Sequence, residues 1–242
     1  MDLPGPLLVV PPSRRPHTHT VIFLHGRGST ARKLAEGLHH FTDARSRSLF
    51  EMFPSFRWVF PQAPLRERAS SGDKTYQWFD VWDARDPAER EEVQRAGLAE
   101  SVGRVGRLVR EEGELLGSCE RVVLAGRRGL GGVIGFSCRL PLARGTLGET
   151  RAEVGVGKPD EVGETLRGTP VLLEHCVDDP LVPVGAGREL RDKLAMWGAQ
   201  VTWKEYPTGG HWLNSPSGAE DVAQFLRAEL HIGRDGYLVG GV

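Results

Sequence analysis

Residues 18–29 are Thr18-His19-Thr20-Val21-Ile22-Phe23-Leu24-His25-Gly26-Arg27-Gly28-Ser29. The β-branched and apolar residues up to Leu24 are typical of a buried strand, and the glycines that follow permit a tight turn. A helix is predicted next, near residues 31–40. A strand that turns directly into a helix is the building unit of an α/β protein.

Strands and helices continue to alternate along the chain. Further strands are predicted at residues 57–60, 122–125, 132–137, 169–174 and 201–206. The predicted helices are one that opens at Asp86-Pro87 and ends at Gly117, one with the apolar stripe Leu190, Leu194 and Trp197, and a closing one with a capping box at Ser217-Gly218-Ala219-Glu220. This alternation predicts a mostly parallel sheet with helices on both faces, and the residues from Gly233 are expected to fray.

The composition fits one α/β domain. The chain has 242 residues, 39% hydrophobic and 26% charged, which is enough for a single domain over residues 1–242 with a core at about 18–230. Its 31 basic and 32 acidic residues give a formal net charge of -1. This balance argues against a nucleic-acid partner, and the sequence leaves the oligomeric state open.

The sequence carries no membrane, metal or disulfide signal. No apolar run reaches the length of a bilayer span, and Leu7–Val10 is too short for the core of a signal peptide. Cys119, Cys138 and Cys176 are widely spaced and match neither a disulfide framework nor a zinc site. We therefore expect a cytoplasmic protein with no transmembrane segment and without a metal or cofactor.

Two late loops carry residues suited to proton transfer. The loop after the strand at 169–174 presents adjacent carboxylates, Asp178 and Asp179, and His211 lies in the glycine-rich loop after the next strand. A buried carboxylate that accepts from an imidazole fixes its tautomer, and Asp before His is the order of the α/β-hydrolase triad. Either loop alone is more simply an ordinary turn, whereas the combination favours a catalytic pair.

The loop His25-Gly26-Arg27-Gly28 fits a third catalytic role. A strand that ends in His-Gly before a helix supplies one backbone N–H of the oxyanion hole, and a backbone donor needs no particular side chain. Arg27 would then donate through its amide. The alternative is a generic tight turn, for which the glycines alone suffice.

Six segments of the chain occur in a set order. They are residues 21–28, 60–64, 77–80, 121–126, 179–183 and 210–211. This set resembles the acyl-protein thioesterase, or phospholipase/carboxylesterase, family of α/β hydrolases. The resemblance implies Asp179 as triad acid, His211 as general base and the Arg27 N–H as oxyanion donor. It also implies that Trp78 and Leu181 lie near the acyl group of an ester or thioester substrate, which includes lipidated proteins.

The nucleophile of that family is missing. In the family, the strand that matches residues 121–126 runs into a Gly-x-Ser-x-Gly elbow and a long helix, whereas residues 127–132 here contain no Ser, Cys or Thr. Residues 132–141 match the strand that follows that helix. The link at 127–131 is too short for the usual crossover between parallel neighbours, so we expect a hairpin or a distorted sheet. The nucleophile, a second oxyanion donor and the helix after the nucleophile strand are thus predicted to be lost together.

A rival assignment makes Ser137 the nucleophile, with Gly135-Phe136-Ser137-Cys138-Arg139 as the elbow. The elbow requires a small residue where Arg139 stands. Pro141 and Gly145 also follow where a helix should begin and continue, so we disfavour this assignment.

Three functions are consistent with these features. The first is a serine-hydrolase relative with little or no esterase activity, because the nucleophile is absent. The second is a non-catalytic protein that binds acyl groups or a protein partner. The third is an ordinary hydrolase whose translated sequence omits coding material between Gly126 and Arg127.

Overall fold

The computed structural model describes residues 7–86, 88–125, 132–142, 144–155 and 169–232. The strands in these ranges are β1 (Leu7–Val10), β2 (His19–Phe23), β3 (Phe56–Pro61), β4 (Leu65–Glu67), β5 (Lys74–Tyr76), β6 (Val122–Ala125), β7 (Gly132–Phe136), β8 (Pro170–Cys176) and β9 (Gln200–Tyr206). The α-helices are α1 (Ala31–His40), α2 (Leu49–Met52), α3 (Gln94–Leu116), α4 (Leu147–Glu153), α5 (Val184–Met196) and α6 (Ser217–Glu229). None of these helices has the length and apolar character needed to cross a bilayer.

Seven strands form the main sheet in the order β1-β3-β2-β6-β7-β8-β9. Neighbours are parallel except that β1 runs antiparallel to β3, and β4 and β5 form a separate hairpin. Because β2, β6, β7, β8 and β9 are parallel, the loops that follow them all leave from one edge of the sheet. The segments that carry the predicted site residues therefore share that edge.

Helices cover both faces of the sheet, as predicted. Side chains of α1, α2 and α6 pack on one face, in a cluster that includes Val21 and Phe23. Side chains of α3 and α5 pack on the other face, against Ile22 and Leu173 respectively. Because neighbouring residues of a strand point to opposite faces, one continuous apolar run supplies both cores.

The predicted strands are confirmed within one or two residues at each end, but one helix start and one helix cap are wrong. The sequence predicts that the long helix opens at Asp86-Pro87, whereas α3 begins at Gln94 after a 3₁₀ turn at Glu91–Val93. Asp86 instead accepts from the Ala88 N–H at 3.1 Å, which is an Asx turn, and Pro87 lies outside the described residues. Gly117 ends α3 at φ 74, as predicted.

The capping box predicted at Ser217 is also wrong. The N-cap of α6 is Pro216, and the Glu220 carboxylate accepts from the Ala44 N–H at 3.1 Å instead of returning to its own helix. A capping box does form at the start of α4, between Thr146 and Glu149. The residues from Gly233, expected to fray, lie outside the described residues.

The strands on either side of the short link are parallel. Val123 lies opposite Gly132 and Leu124 opposite Val133, so a hairpin between β6 and β7 is wrong. The overlap covers only these two residue pairs. Because Gly132 lies opposite Val123, β7 begins two residues, or about 7 Å, before the level at which β6 ends. A short link can therefore join the two strands. Residues 126–131 lie outside the described residues, and the missing elbow and helix stay predictions.

Candidate active site

Asp179 and His211 form a hydrogen-bonded pair at the carboxyl-terminal edge of the sheet. His211 Nδ1 lies 2.9 Å from Asp179 Oδ2. An ionised carboxylate only accepts, so Nδ1 carries the proton and Nε2 is left as an acceptor. The Asp179 side chain is fully buried, whereas that of His211 is 38% exposed. A buried acid that orients a partly exposed imidazole has the geometry that a general base requires.

The Asp179 carboxylate is held by backbone amides as well as by His211. Its Oδ1 accepts from the Leu181 N–H at 2.8 Å and from the Val182 N–H at 2.9 Å. Burial alone would raise the pKa of Asp179. The bonds from Val182, His211 and Leu181, together with the nearby Ser137 hydroxyl, outweigh burial and hold that pKa below its usual range. Asp179 is therefore ionised at neutral pH.

The neighbouring carboxylate holds the loop that carries His211. Asp178 Oδ1 accepts from the Gly210 N–H at 2.8 Å, and Asp178 Oδ2 accepts from the Gly209 N–H at 3.2 Å. Gly209 and Gly210 have φ of 142° and 63°, backbone conformations that favour glycine. No role for Asp178 was predicted from the sequence. The two adjacent carboxylates, Asp178 and Asp179, were the sequence feature that could have indicated this role.

The side chain of Arg27 ties down the loop after β2. Its Nε donates to Gln77 Oε1 at 2.7 Å, and its Nη2 donates to Asp80 Oδ1 at 3.2 Å and to the Val81 carbonyl at 3.1 Å. Within the described part of the chain, the Arg27 backbone N–H has no hydrogen-bond partner. A free N–H on a fixed loop is what an oxyanion donor requires.

His25 fixes the same loop from inside the protein. Its Nε2 accepts from the Ala63 N–H at 3.0 Å, so the proton is on Nδ1, which donates to the Gly26 carbonyl at 2.9 Å. Burial lowers the pKa of His25, and the bond to Gly26 opposes this only in part. His25 is therefore neutral at pH 7 and shapes the loop without carrying charge.

The two residues expected near an acyl group lie beside different parts of the site. Trp78 Nε1 donates to the His25 carbonyl at 2.8 Å, which places Trp78 at the loop after β2. Leu181 follows Asp179 by two positions and is 63% exposed. We call Trp78 with the loop after β2 the Trp78 side of the site, and Leu181 with the Asp179–His211 pair the Leu181 side. Among the described residues, no hydrogen bond or ion pair joins these two sides.

These two sides of the site are separated by β6 and β7. Strands β2 and β8 are three strand spacings apart, roughly 14 Å. A nucleophile between them would follow β6 or β7. The residues after β6 lie outside the described residues, and Ser137 follows β7 directly.

Comparisons with known proteins agree with this architecture. A family model described as phospholipase/carboxylesterase matches residues 6–230. The acyl-protein thioesterase 1 of Gibberella zeae is 28% identical over 239 residues, which covers 90% of this chain and 94% of that protein. The acyl-protein thioesterase 1 of Neurospora crassa is 30% identical over 219 residues and covers 85% of this chain and 84% of that protein. A crystal structure of Zea mays acyl-protein thioesterase 2 superposes with a TM-score of 0.69 at 23% identity, over 93% of this chain and 99% of that one.

Proposed function

Because this chain belongs to the phospholipase/carboxylesterase family of α/β hydrolases, we propose that it keeps the acid and base of an acyl-ester hydrolase and lacks the nucleophile. The observation that carries the proposal is the 2.9 Å bond between His211 Nδ1 and Asp179 Oδ2. It occurs in a chain whose residues 127–132 include no Ser, Cys or Thr.

Each residue of the site has a role in this proposal. In a complete site, a serine attacks the acyl carbonyl and His211 Nε2 takes the serine proton. Asp179 then stabilises the imidazolium, and the Arg27 N–H donates to the oxyanion. Trp78 and Leu181 lie along the acyl group. The substrate class is an acyl ester or thioester, and the relatives named acyl-protein thioesterases favour a lipidated protein.

The missing nucleophile sets the expected activity. Loss of the serine from a triad lowers turnover by about a million-fold. We therefore propose that this chain has little or no esterase activity. The test is incubation of the purified chain with a fluorophosphonate probe and with p-nitrophenyl esters, followed by peptide mapping. We expect neither labelling nor turnover above a His211→Ala control, and stoichiometric labelling at any serine together with turnover would refute the proposal.

A second candidate is a non-catalytic protein that binds acyl groups or a protein partner. Exposed apolar side chains flank the Asp179–His211 pair, with Leu181 63% and Trp212 49% exposed. Such side chains beside an ionised pair suit a ligand with an apolar chain and a polar head. Cooperative thermal unfolding together with saturable binding of a fatty-acyl ligand would support this function, and aggregation on purification would count against it.

A third candidate is that coding material is missing between Gly126 and Arg127. Sequencing the transcript across this position is the test. An in-frame Gly-x-Ser-x-Gly segment would make the complete protein an active hydrolase.

We also propose a cytoplasmic location. Cys119, Cys138 and Cys176 are all free thiols. Free thiols are typical of proteins in a reducing compartment. Fractionation of cells that express the tagged chain tests this proposal, and recovery from the secreted fraction would contradict it.

A further inference from the structure

Ser137 ends strand β7 in a backbone conformation that is costly for a residue with a side chain. Its φ is 46°, in the left-handed region. Its N–H donates to the Glu174 carbonyl at 2.9 Å, which continues the pairing of β7 with β8 past the Phe136–Glu174 pair. The sheet therefore holds Ser137 in place in spite of the backbone strain.

The Ser137 hydroxyl is buried at the end of β7, the strand next to the one that Asp179 follows. Its Oγ has no partner at ordinary hydrogen-bond geometry within the described residues. A buried hydroxyl without a partner costs free energy, so it is expected to donate a hydrogen bond to a nearby acceptor. Asp179 follows β8, the neighbour of β7, and Ser137 contributes to the low pKa of the Asp179 carboxyl.

The carboxylate of Asp179 has room for this donor. An ionised carboxylate has about four acceptor positions. Backbone N–H groups of Leu181 and Val182 fill the two on Oδ1, and His211 fills one on Oδ2. One position on Oδ2 is left, on the acid that orients His211.

Among the described residues, His175 also approaches this position, but the proton on its Nε2 is directed to another acceptor. His175 Nε2 is 2.8 Å from the Val182 carbonyl but 3.5 Å from Asp179 Oδ2. Since a carbonyl only accepts, the Nε2 proton points at Val182. His175 Nδ1 is buried without a partner, so it offers no second proton to Asp179. The fourth acceptor position of Asp179 is thus left for Ser137.

We propose that Ser137 is a positioning residue whose hydroxyl donates to Asp179 Oδ2 and holds the carboxylate against His211, an assignment that rests on the proposed function for the role of the pair. A nucleophile would have to approach His211 Nε2, because Nδ1 is bonded to Asp179. We assign the Ser137 hydroxyl instead to Asp179. No helix begins in residues 138–142, where an elbow would place one.

Ser137→Gly and Ser137→Ala test this proposal. Both remove the hydroxyl, but glycine also relieves the strained φ, so the glycine variant separates loss of the hydroxyl from loss of stability. The matched control is Ser46→Gly, since Ser46 has φ 58° on an exposed turn between α1 and α2. The measurement is a ¹³C NMR titration of the Asp179 carboxyl, assigned with Asp179→Asn, alongside thermal unfolding of each variant.

We expect the titration midpoint of Asp179 to move upward in both Ser137 variants and to stay unchanged in Ser46→Gly. An unchanged midpoint in a folded Ser137→Gly protein would overturn the proposal, as would stoichiometric fluorophosphonate labelling at Ser137. Neither the NMR titration nor the labelling experiment requires turnover of a substrate. A chain without esterase activity therefore still tests the role of Ser137, and a failure of the proposed function is seen separately in the ester assay.

Discussion

Asp179 Oδ2 and His211 Nδ1 are 2.9 Å apart although 32 positions separate the two residues in the chain. Strand pairing explains this proximity. Asp179 follows β8 and His211 follows β9, and the parallel register that sets Cys176 opposite Tyr206 makes the two strands end together. A bond of 2.8 Å from the Val177 N–H to the Tyr206 carbonyl extends this pairing into the first loop. The site therefore depends on the sheet register as much as on the two side chains.

The charge on Asp179 is expected to contribute to stability only above acidic pH. Its pKa in the folded protein lies below the usual range, so its contribution is present at neutral pH and is lost as the pH falls through the folded-state pKa. Asp179→Asn should lower the free energy of unfolding at pH 7 by about 1–3 kcal/mol, because an amide is a poorer acceptor for His211 and the backbone amides. Urea denaturation at pH 7 and pH 3 measures this.

The difference between wild type and Asp179→Asn should shrink at pH 3, because the unfolded chain then binds a proton at Asp179 that the folded protein binds only at lower pH. Asp73→Asn is the control, because Asp73 is an exposed carboxylate on the β4–β5 hairpin. An equal difference at both pH values would show that the charge of Asp179 does not stabilise the fold.

Asp178→Ala is expected to loosen the His211 loop without unfolding the sheet. It removes the acceptor of the Gly209 and Gly210 N–H groups, and Asp178 itself is exposed. Loss of about 1 kcal/mol of local stability corresponds to roughly fivefold faster amide exchange. Hydrogen-exchange mass spectrometry should show this increase at residues 207–212 and no change in β8. Unchanged exchange in the loop would mean that Asp178 does not hold it.

Glu174 is a buried acid that the proposed chemistry does not use. Burial raises its pKa to about 9, and the negative charge of Asp221 adds to this effect. The unfolded chain loses this proton near the usual pKa, whereas the folded protein keeps it up to about pH 9. The folded state therefore binds one more proton between these values, and stability falls as the pH rises through that window.

Glu174→Gln keeps the neutral shape and removes this titration. From pH 5 to pH 8, the unfolding free energy of the variant minus that of wild type should rise by about 2–4 kcal/mol. Denaturation curves at these two pH values measure the gain. Glu189→Gln on the exposed face of α5 serves as the control. If the difference in unfolding free energy between variant and wild type is the same at both pH values, Glu174 does not hold an extra proton in the folded protein.

Local sequence patterns predicted the strands and the two loops of the Asp179–His211 pair for a physical reason. A buried strand must be apolar on both faces, and Val21, Ile22 and Phe23 satisfy this condition without reference to the rest of the chain. Asp179 was recognisable because it follows the buried run of β8, and His211 because it lies in the glycine-rich loop after β9. Their contact required only that the two strands be parallel neighbours.

Features that depend on distant partners could not be predicted in the same way. Arg27 donates to Gln77 and Asp80, which are about fifty positions away, and no local sequence pattern predicts that contact. Asp86 misled the prediction because an Asp that caps a helix and an Asp that forms a turn look alike in sequence. The run Leu7–Val10 gave no strand prediction, yet it pairs antiparallel with β3 at the sheet edge.

The packing of α3 on the segment that carries Trp78 depends on the absence of a side chain at Gly97. A Cβ at that position would lie 2.7 Å from the Phe79 backbone Cα, which cannot move without shifting Trp78. Gly97→Ala should therefore destabilise the protein by about 1–3 kcal/mol. Gly103 lies on an exposed face of the same helix, and a Cβ there meets nothing within 4 Å.

Gly103→Ala is thus the matched control, and it should stabilise the protein by about 0.5–1 kcal/mol because alanine favours the helix. Urea denaturation of both variants, with the near-ultraviolet circular dichroism of the tryptophans, measures the two effects. Gly97→Ala should also change the aromatic signal, since it displaces the segment that carries Trp78, whereas Gly103→Ala should leave it intact. If both substitutions stabilise the protein equally, the close approach of α3 to residues 78–79 does not hold the Trp78 side of the site in place.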